Sequence, residues 1–197
     1  MRIGVLGGTF DPVHRGHIHL AREAKEKLRL DKILFVPAYL APNKKAKKNE
    51  ISPAHFRLKM LKLAIAGIPK LKISYFELKK KRVVYTVETL KALCKRYPRD
   101  QFYLLTGADN ILGLHHWKSF DTILRLCHFV VAKRPEFRSL AAEERKKFIW
   151  LAMRPLKISS TDIRKKIREG KSVSRLLPDR VAGFIKQNRL YQQGKGA

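Results

Sequence analysis

The chain has 197 residues, 45% of them hydrophobic, and its 44 lysines and arginines against 16 aspartates and glutamates give a formal net charge of +28 at pH 7. This length suits one α/β domain with a buried core, and no apolar run is long enough to cross a bilayer, so we expect no membrane association. Cys94 and Cys127 lack a CxxC or metal-type spacing, which excludes a disulfide scaffold and indicates a reduced, cytoplasmic setting. The charge predicts an anionic ligand, a nucleotide or a nucleic acid, with a lysine-rich solvated surface as the alternative.

The predicted elements alternate between strands and helices along the chain. We predict strands at 3–6, 33–36, 71–75, 102–105 and 127–132, and a short extended piece at 156–158. We predict helices at 18–28, after Ser52-Pro53, after an N-cap at Thr86, at 143–153, after the serines at 159 and 160, and within 177–191. Such an alternation is typical of a largely parallel sheet that is covered by helices.

A glycine-rich turn follows the first strand. Gly7 and Gly8 have no Cβ, so the backbone there can turn closely around a ligand, and Thr9 adds a hydroxyl beside it. A strand, a glycine turn and a helix form the layout in which backbone N–H groups and a helix N-terminus meet an anion. The alternative for a Gly-Gly pair alone is an ordinary turn.

Two histidines follow this turn. His14 and His17 are three residues apart, with Gly16 between them, which places both imidazoles on one side of the first helical turn. Two imidazoles at the positive end of a helix suit a phosphate that gains charge in a transition state. A single histidine is more often structural, but the whole string from Gly7 to His17 favours function.

A second signal lies late in the chain, in Ser159-Ser160-Thr161-Asp162-Ile163-Arg164. Serine and threonine cap a helix whose first N–H groups can meet an anion. Arg164 is expected in the first turn, where a cation opposes the helix dipole at a cost of roughly 0.3–1 kcal/mol, and this indicates that an anion binds there. The alternative is a plain N-cap with a solvated arginine.

Three further positions have two possible interpretations each. Asp109 follows the strand at 102–105, where it either contacts a nucleotide or caps a helix. Trp117 either stacks on a flat ring or is a large core residue. The basic loop 42–48, which contains Lys44, is either a lid over phosphates or a lysine-rich surface loop.

The string Gly7-Gly8-Thr9-Phe10-Asp11-Pro12-Val13-His14-Arg15-Gly16-His17 resembles the signature of the HxGH nucleotidyltransferases, and its Phe-Asp-Pro variant is similar to their bacterial nicotinate-nucleotide adenylyltransferase branch. The Gly-Ala-Asp-Asn element at 107–110 and the Ile-Ser-Ser-Thr-x-Ile-Arg element at 158–164 match the same family. The resemblance runs from about residue 2 to residue 191. It implies a Rossmann-like, doubly wound, mostly parallel sheet in a single domain over 1–191, with a flexible tail at 192–197.

The resemblance also implies the site residues. Catalytic residues would be His14, His17 and Arg164. ATP would be bound by Gly7, Gly8, Thr9, His17, Gly107, Asp109, Ser160, Thr161 and Arg164. The pyridine nucleotide would be bound by Phe10, Lys44, Thr86, Trp117 and Arg134. Mg²⁺ would arrive with ATP, without a dedicated set of protein ligands.

The implied reaction transfers AMP from ATP to nicotinate mononucleotide, giving deamido-NAD and pyrophosphate. An alternative acceptor is nicotinamide mononucleotide or phosphopantetheine. A basic RNA-binding protein is the alternative from another class, although the chain has no RRM, KH or zinc-finger signature. The oligomeric state stays open at this stage.

Overall fold

The computed structural model describes residues 1–40, 51–107, 113, 117–132, 145–154 and 156–192. Its strands are β1 (Arg2–Gly8), β2 (Lys32–Pro37), β3 (Leu71–Ile73), β4 (Gln101–Gly107), β5 (His128–Ala132) and β6 (Ile149–Leu151). They form one sheet in the order β3-β2-β1-β4-β5-β6, and every neighbouring pair is parallel. This is the Rossmann-like, doubly wound arrangement that the sequence predicts.

The helices of the described residues are α1 (Arg15–Lys27), α2 (Ala54–Ile65), α3 (Phe76–Lys80), α4 (Thr86–Arg96), α5 (Phe120–Leu126), α6 (Ser160–Arg168) and α7 (Asp179–Gln187). The buried apolar residues of α1, α2, α6 and α7 belong to one core, and those of α4 and α5 belong to another. None of the helices in the described ranges is long and apolar enough to cross a membrane.

The central strands are apolar on both faces because each of them separates these two cores. In β2, Ile33 and Phe35 lie in the first core, whereas Leu34 and Val36 lie in the second. In β4, Tyr103 faces the first core and Leu104 the second. Successive side chains of a strand point to opposite faces, so a sheet with helices on both sides requires an uninterrupted apolar run.

The carboxyl ends of β1 and β4 mark the point where the strand order changes direction. The paired residues of β1 and β4 end at Val5 and Leu104, although the two strands continue to Gly8 and Gly107. Beyond that point β1 stays paired with β2, and β4 with β5. Open α/β sheets bind ligands in the crevice at such a switch point. The fold therefore predicts a ligand site at the loops that follow β1 and β4.

Two predictions about secondary structure are wrong. A helix was expected over 143–153, but residues 149–151 form β6, which pairs with β5 at the edge of the sheet. Phe148, Ile149 and Trp150 are aromatic or β-branched, so β propensity and pairing with β5 decide the conformation of this run. The N-cap of α4 is Tyr85 rather than Thr86, which is the first helical residue.

Candidate active site

The loop between β1 and α1 is folded around the buried ring of Phe10. Phe10 is 1% exposed and has a left-handed φ of 50°. Its ring centroid lies 5.7 Å from that of Phe35 and 5.0 Å from that of His17. A Cβ on Gly8 would come within 3.1 Å of the Phe10 ring, so a glycine lets the backbone lie this close to the ring. Because the Phe10 ring is enclosed, a ligand contact by this residue would involve its main chain.

The two histidines of the motif are stacked at the N-terminus of α1. Their ring centroids are 3.7 Å apart, with an angle of 27° between the ring planes. His14 is the N-cap residue, and its backbone N–H donates to Nδ1 of His17 at 3.2 Å. Because Nδ1 of His17 accepts a hydrogen bond, the proton of the neutral ring lies on Nε2, which makes that atom a donor. A Cβ on Gly16 would lie 3.0 Å from Nδ1 of His14, which explains why a glycine separates the pair.

His14 is held in its neutral form by its surroundings. It is 6% exposed, and burial lowers its pKa to about 4. Its Nδ1 atom is buried and has no hydrogen-bond partner among the residues that the structure describes. Burial in a region of low polarity disfavours the imidazolium, and so does the positive end of a helix. His14 is therefore an uncharged imidazole at neutral pH, able to donate one hydrogen bond and to accept another.

The serine–arginine element at 158–164, the second motif, contacts the loop of the glycine–histidine string at 7–17, the first motif. The hydroxyl of Ser159 caps α6 by accepting from the N–H of Asp162 at 3.0 Å, as the sequence predicts. The hydroxyl of Ser160 donates to the carbonyl oxygen of Pro12 at 2.9 Å. Nη1 of Arg164 donates to the carbonyl oxygen of Asp11 at 2.8 Å. The structure thus brings His14, His17, Ser160 and Arg164 to one loop, and Thr161 lies exposed at the start of α6.

The expected position of Arg164 in the first helical turn is wrong. Arg164 is the fifth residue of α6, and its guanidinium is bonded to the loop after β1. The dipole effect falls off within the first turn, so Arg164 is not placed unfavourably, and its position in the helix no longer indicates an anion site. The contact between Arg164 and the first motif replaces it.

Gly7 and Gly107 lie at the carboxyl ends of the two strands that flank the switch point. A Cβ built on either glycine would meet nothing within 4 Å among the described atoms. Gly7 is exposed and Gly107 is half-buried. Thr9 contributes its carbonyl oxygen to a hydrogen bond with Arg57 at 2.7 Å. As far as the described residues go, the ends of β1 and β4 are thus bordered by glycines that face unoccupied space.

Two of the residues predicted to bind the pyridine nucleotide, Thr86 and Trp117, lie at the N-terminus of α4 and just before α5. Thr86 is half-buried, and the backbone N–H of Tyr85 donates to the Glu88 carboxylate at 3.0 Å. The hydrogen bond from Arg82, followed by that from Tyr85, lowers the pKa of Glu88 to about 2. Trp117 is half-buried and packs edge-on against Phe129, with 5.8 Å between ring centroids. Its contact with the second core agrees with the structural alternative, and stacking on a ligand stays a prediction.

Three predicted site residues, Lys44, Asp109 and Arg134, lie outside the described residues, as does the basic loop 42–48. Their assigned contacts stay predictions. Within the described ranges, no cluster of three or more histidine, cysteine, aspartate or glutamate side chains is arranged to hold a metal ion.

Asp11, Arg57 and Tyr191, three buried or half-buried residues of the loop region, were not among the predicted site residues. Asp11 is 2% exposed and accepts from the hydroxyl of Tyr191 at 2.6 Å and from the N–H of Ser52 at 3.1 Å. Arg57 is 1% exposed and donates to four carbonyl oxygens, those of Thr9, Ala38, Tyr39 and Ser52, at 2.7–2.9 Å. A signal for Arg57 was present, because it interrupts the apolar face that Met60, Leu61 and Ala64 form on α2.

Comparisons with known proteins identify the family. The cytidylyltransferase-like family model matches residues 5–166. A curated Clostridium botulinum protein named "Probable nicotinate-nucleotide adenylyltransferase" is 42% identical over 199 residues, covering 95% of this chain and 98% of the relative. A Clostridium kluyveri protein of the same name is 40% identical, with the same coverage of both chains.

Solved structures agree on the fold. The Plasmodium falciparum nicotinic acid mononucleotide adenylyltransferase complexed with NaAD superposes with a TM-score of 0.81 at 20% identity, covering 96% of this chain and 97% of that one. The same protein complexed with APC gives a TM-score of 0.78 at 20% identity and covers 96% of each chain. The two sequence motifs, the parallel sheet and the relatives all indicate the same family. The chain belongs to the cytidylyltransferase-like family, in its nicotinate-nucleotide adenylyltransferase group.

Proposed function

We propose that this protein transfers the adenylyl group of ATP to nicotinate mononucleotide, releasing pyrophosphate and forming deamido-NAD. The observation that carries this proposal is the stacked pair His14–His17, joined through the Asp11-Pro12 loop to Ser160 and Arg164. The names of the curated relatives support the same reaction, and so does the positive charge of the chain, since both substrates are anions.

The reaction needs no nucleophilic side chain. An oxygen of the acceptor's 5′-phosphate attacks the α-phosphorus of ATP in line, forming a new P–O bond. The bond from the α-phosphorus to the oxygen shared with the β-phosphorus breaks, and pyrophosphate takes its electron pair. The nucleophile is already an anion, so no proton has to be removed from it. Catalysis then depends on positioning and on stabilisation of the charge that develops on the phosphates.

The residues of the site can be assigned to these tasks. The Nε2–H of His17 is a donor because its Nδ1 accepts from the backbone of His14, and it would bond a reacting phosphate oxygen. Arg164 would bond the phosphates of the leaving group through the part of its guanidinium that the Asp11 carbonyl does not occupy. The first N–H groups of α6, near Ser160 and Thr161, would bind the same oxygens. Gly7, Gly8 and Gly107 would leave room for nucleotide at the switch point.

Mg²⁺ bound to the phosphates of ATP would neutralise part of their charge. Both carboxylate oxygens of Asp11, the acidic side chain of the first motif, already accept hydrogen bonds from Tyr191 and Ser52. This donor set suits a metal ion that the substrate carries rather than one held by a protein cage.

The test is pyrophosphate release from Mg-ATP with nicotinate mononucleotide and nicotinamide mononucleotide run in parallel. We expect a strong preference for the acid. Equal rates would keep the mechanism and widen the substrate range. No release with either acceptor, in a folded protein that binds ATP, would contradict the proposal, and phosphopantetheine would be the next acceptor to test.

The contribution of His17 is tested by His17→Ala. We expect kcat to fall by about 10²-fold or more, because the variant removes a donor directed at charge that develops in the transition state. His55→Ala, at an exposed position at the start of α2, is the control and should retain wild-type turnover. Wild-type turnover by a properly folded His17→Ala protein would show that the assignment is wrong.

A further inference from the structure

We infer that Tyr191, which follows the last described helix and lies outside both motifs, is a positioning residue for the adenylyl transfer. Its phenol orients Asp11, and the main chain of Asp11 in turn holds Arg164. The inference rests on the proposed function and adds to it a residue that lies 180 positions away from the loop on which it acts.

The phenol of Tyr191 reaches the first motif directly. Its hydroxyl donates to Oδ1 of Asp11 at 2.6 Å, a distance typical of a strong, charge-assisted hydrogen bond. Burial, and then the charge of Asp11, raise the pKa of this phenol, so it remains a protonated donor. The hydrogen bond with Ser52, and then the positive charge of Arg164, act on the same pKa in the opposite direction.

The backbone that carries Tyr191 has an unfavourable conformation. Arg189 follows the C-cap of α7, where its left-handed φ of 51° is a common helix ending. Tyr191, two residues further on, has a φ of 64°, in the region that residues with a Cβ rarely adopt. Leu190 and Tyr191 both pack against the first core, and the N–H of Leu190 donates to the carbonyl oxygen of Ile185 at 3.0 Å. Backbone strain of this kind persists where surrounding contacts determine the conformation, and it is concentrated at functional sites.

Asp11 transmits the position of Tyr191 to the catalytic side chains. Its second carboxylate oxygen accepts from the N–H of Ser52 at 3.1 Å, so the carboxylate is held from two sides. Its own carbonyl oxygen accepts from Arg164 at 2.8 Å, and the next carbonyl, that of Pro12, accepts from Ser160 at 2.9 Å. A carboxylate that is fixed at both oxygens therefore orients the two carbonyls that hold the second motif.

The variant Tyr191→Phe removes the hydroxyl and keeps the ring. We expect kcat to fall about tenfold, which corresponds to about 1.4 kcal/mol in the activation barrier. The KM for ATP should change less than the kcat, because misplacement of Arg164 acts mainly on charge that develops in the transition state. Tyr75→Phe, at a position that is 40% exposed on the sheet's far edge beside β3, is the matched control and should keep wild-type kinetics.

A double-mutant cycle distinguishes positioning from a general loss of structure. In an Arg164→Ala background, Tyr191→Phe should lower kcat by less than twofold, because the guanidinium through which Tyr191 acts is absent. A tenfold loss in both backgrounds would overturn the inference. So would a kcat for Tyr191→Phe within twofold of the wild type.

A second measurement does not depend on turnover. NMR on arginine-labelled protein measures the rotation rate of the Arg164 guanidinium, and Arg164→Lys assigns its signal. This rate should rise in Tyr191→Phe and stay unchanged in Tyr75→Phe. If the wild-type protein releases no pyrophosphate with either pyridine nucleotide, the proposed function is wrong, and this rotation rate still decides the inference. An unchanged rate in Tyr191→Phe would overturn it.

Discussion

His14 and His17 have the same side chain and different chemistry, because one ring is buried and the other is half-buried. His14 takes no proton at neutral pH since its pKa is lowered to about 4. His17 keeps a defined tautomer because its Nδ1 accepts from a backbone N–H. A phosphate bound beside the stacked rings would favour the charged form of His14, so ligand binding and proton uptake should be coupled at this residue.

The burial of His14 predicts a pH dependence of stability. Its pKa is lowered in the folded chain to about 4, from 6.5 in the unfolded chain, so between these values the unfolded state binds more protons. The contribution of neutral His14 to the free energy of unfolding is therefore fully present above about pH 6.5 and is lost as the pH falls towards 4. The full contribution is about 3 kcal/mol.

Urea unfolding at pH 7 and pH 4.5 measures this effect. The stability lost between the two pH values should be smaller in His14→Asn than in the wild type, by about 2 kcal/mol. His55→Asn, at an exposed position, controls for the loss of a histidine as such. An equal loss in His14→Asn and the wild type would contradict the burial argument.

At the scale of the elements, α2 is the support for the loops above the sheet. Its Arg57 donates to carbonyl oxygens of the loop after β1, of the segment after β2, and of Ser52 just before α2 itself. These carbonyls have a single buried cation in common, so the position of each loop depends on the others. A planar guanidinium with five donors can serve four acceptors, which an ammonium group cannot do in the same geometry.

Arg57→Met should therefore destabilise the fold by about 3–5 kcal/mol, since it leaves several buried carbonyl oxygens without their donor. Arg57→Lys should recover only part of this loss. Lys59→Met, at an exposed position of the same helix, should change the free energy of unfolding by less than about 0.5 kcal/mol. Urea unfolding measures all three, and equal stabilities of Arg57→Met and Lys59→Met would show that the network is dispensable.

Most strands and both motif loops could be predicted from the sequence, but β6 and the long-range contacts of Asp11 could not. The long strands were predictable because each carries an apolar run between two cores, and the motif loops because Gly7, Gly8, His14 and His17 have few structural reasons to occur together. β6 was missed because three residues are too few to show a period, so the choice between strand and helix there depends on pairing with β5. The contacts of Asp11 with Ser52 and Tyr191 span 41 and 180 positions, and no local pattern records them.

At the scale of the whole molecule, the charge of +28 acts on both substrates. Several acidic side chains are engaged in ion pairs, including Glu88 with Arg82, Asp179 with Arg15, and Glu169 with Lys171. The surrounding potential is therefore positive and attracts phosphates over distances of about a Debye length. RNA binding, the alternative that this charge suggests, is not favoured by the relatives, which are named as nicotinate-nucleotide adenylyltransferases.

This charge predicts a salt dependence of the reaction. When the KCl concentration is raised from about 20 mM to about 200 mM, kcat/KM for nicotinate mononucleotide should fall several-fold, because screening shortens the range of attraction. The kcat should change less, since bound substrate no longer has to be attracted. Titrating a single-stranded RNA over the same salt range tests the alternative, and a shallow dependence of its affinity would argue against a surface that follows a phosphate backbone.

The hydrogen bonds that join the first motif to α6 and to Tyr191 also set an order of events during translation. β1 and the two histidines leave the ribosome first, while Ser160 follows Pro12 by 148 positions and Tyr191 follows Asp11 by 180. At about 5–20 residues per second, that interval lasts roughly 10–40 s. A nascent chain that already carries its histidine pair therefore lacks the arginine and the phenol, and the nucleotide site is completed only when residue 191 has emerged.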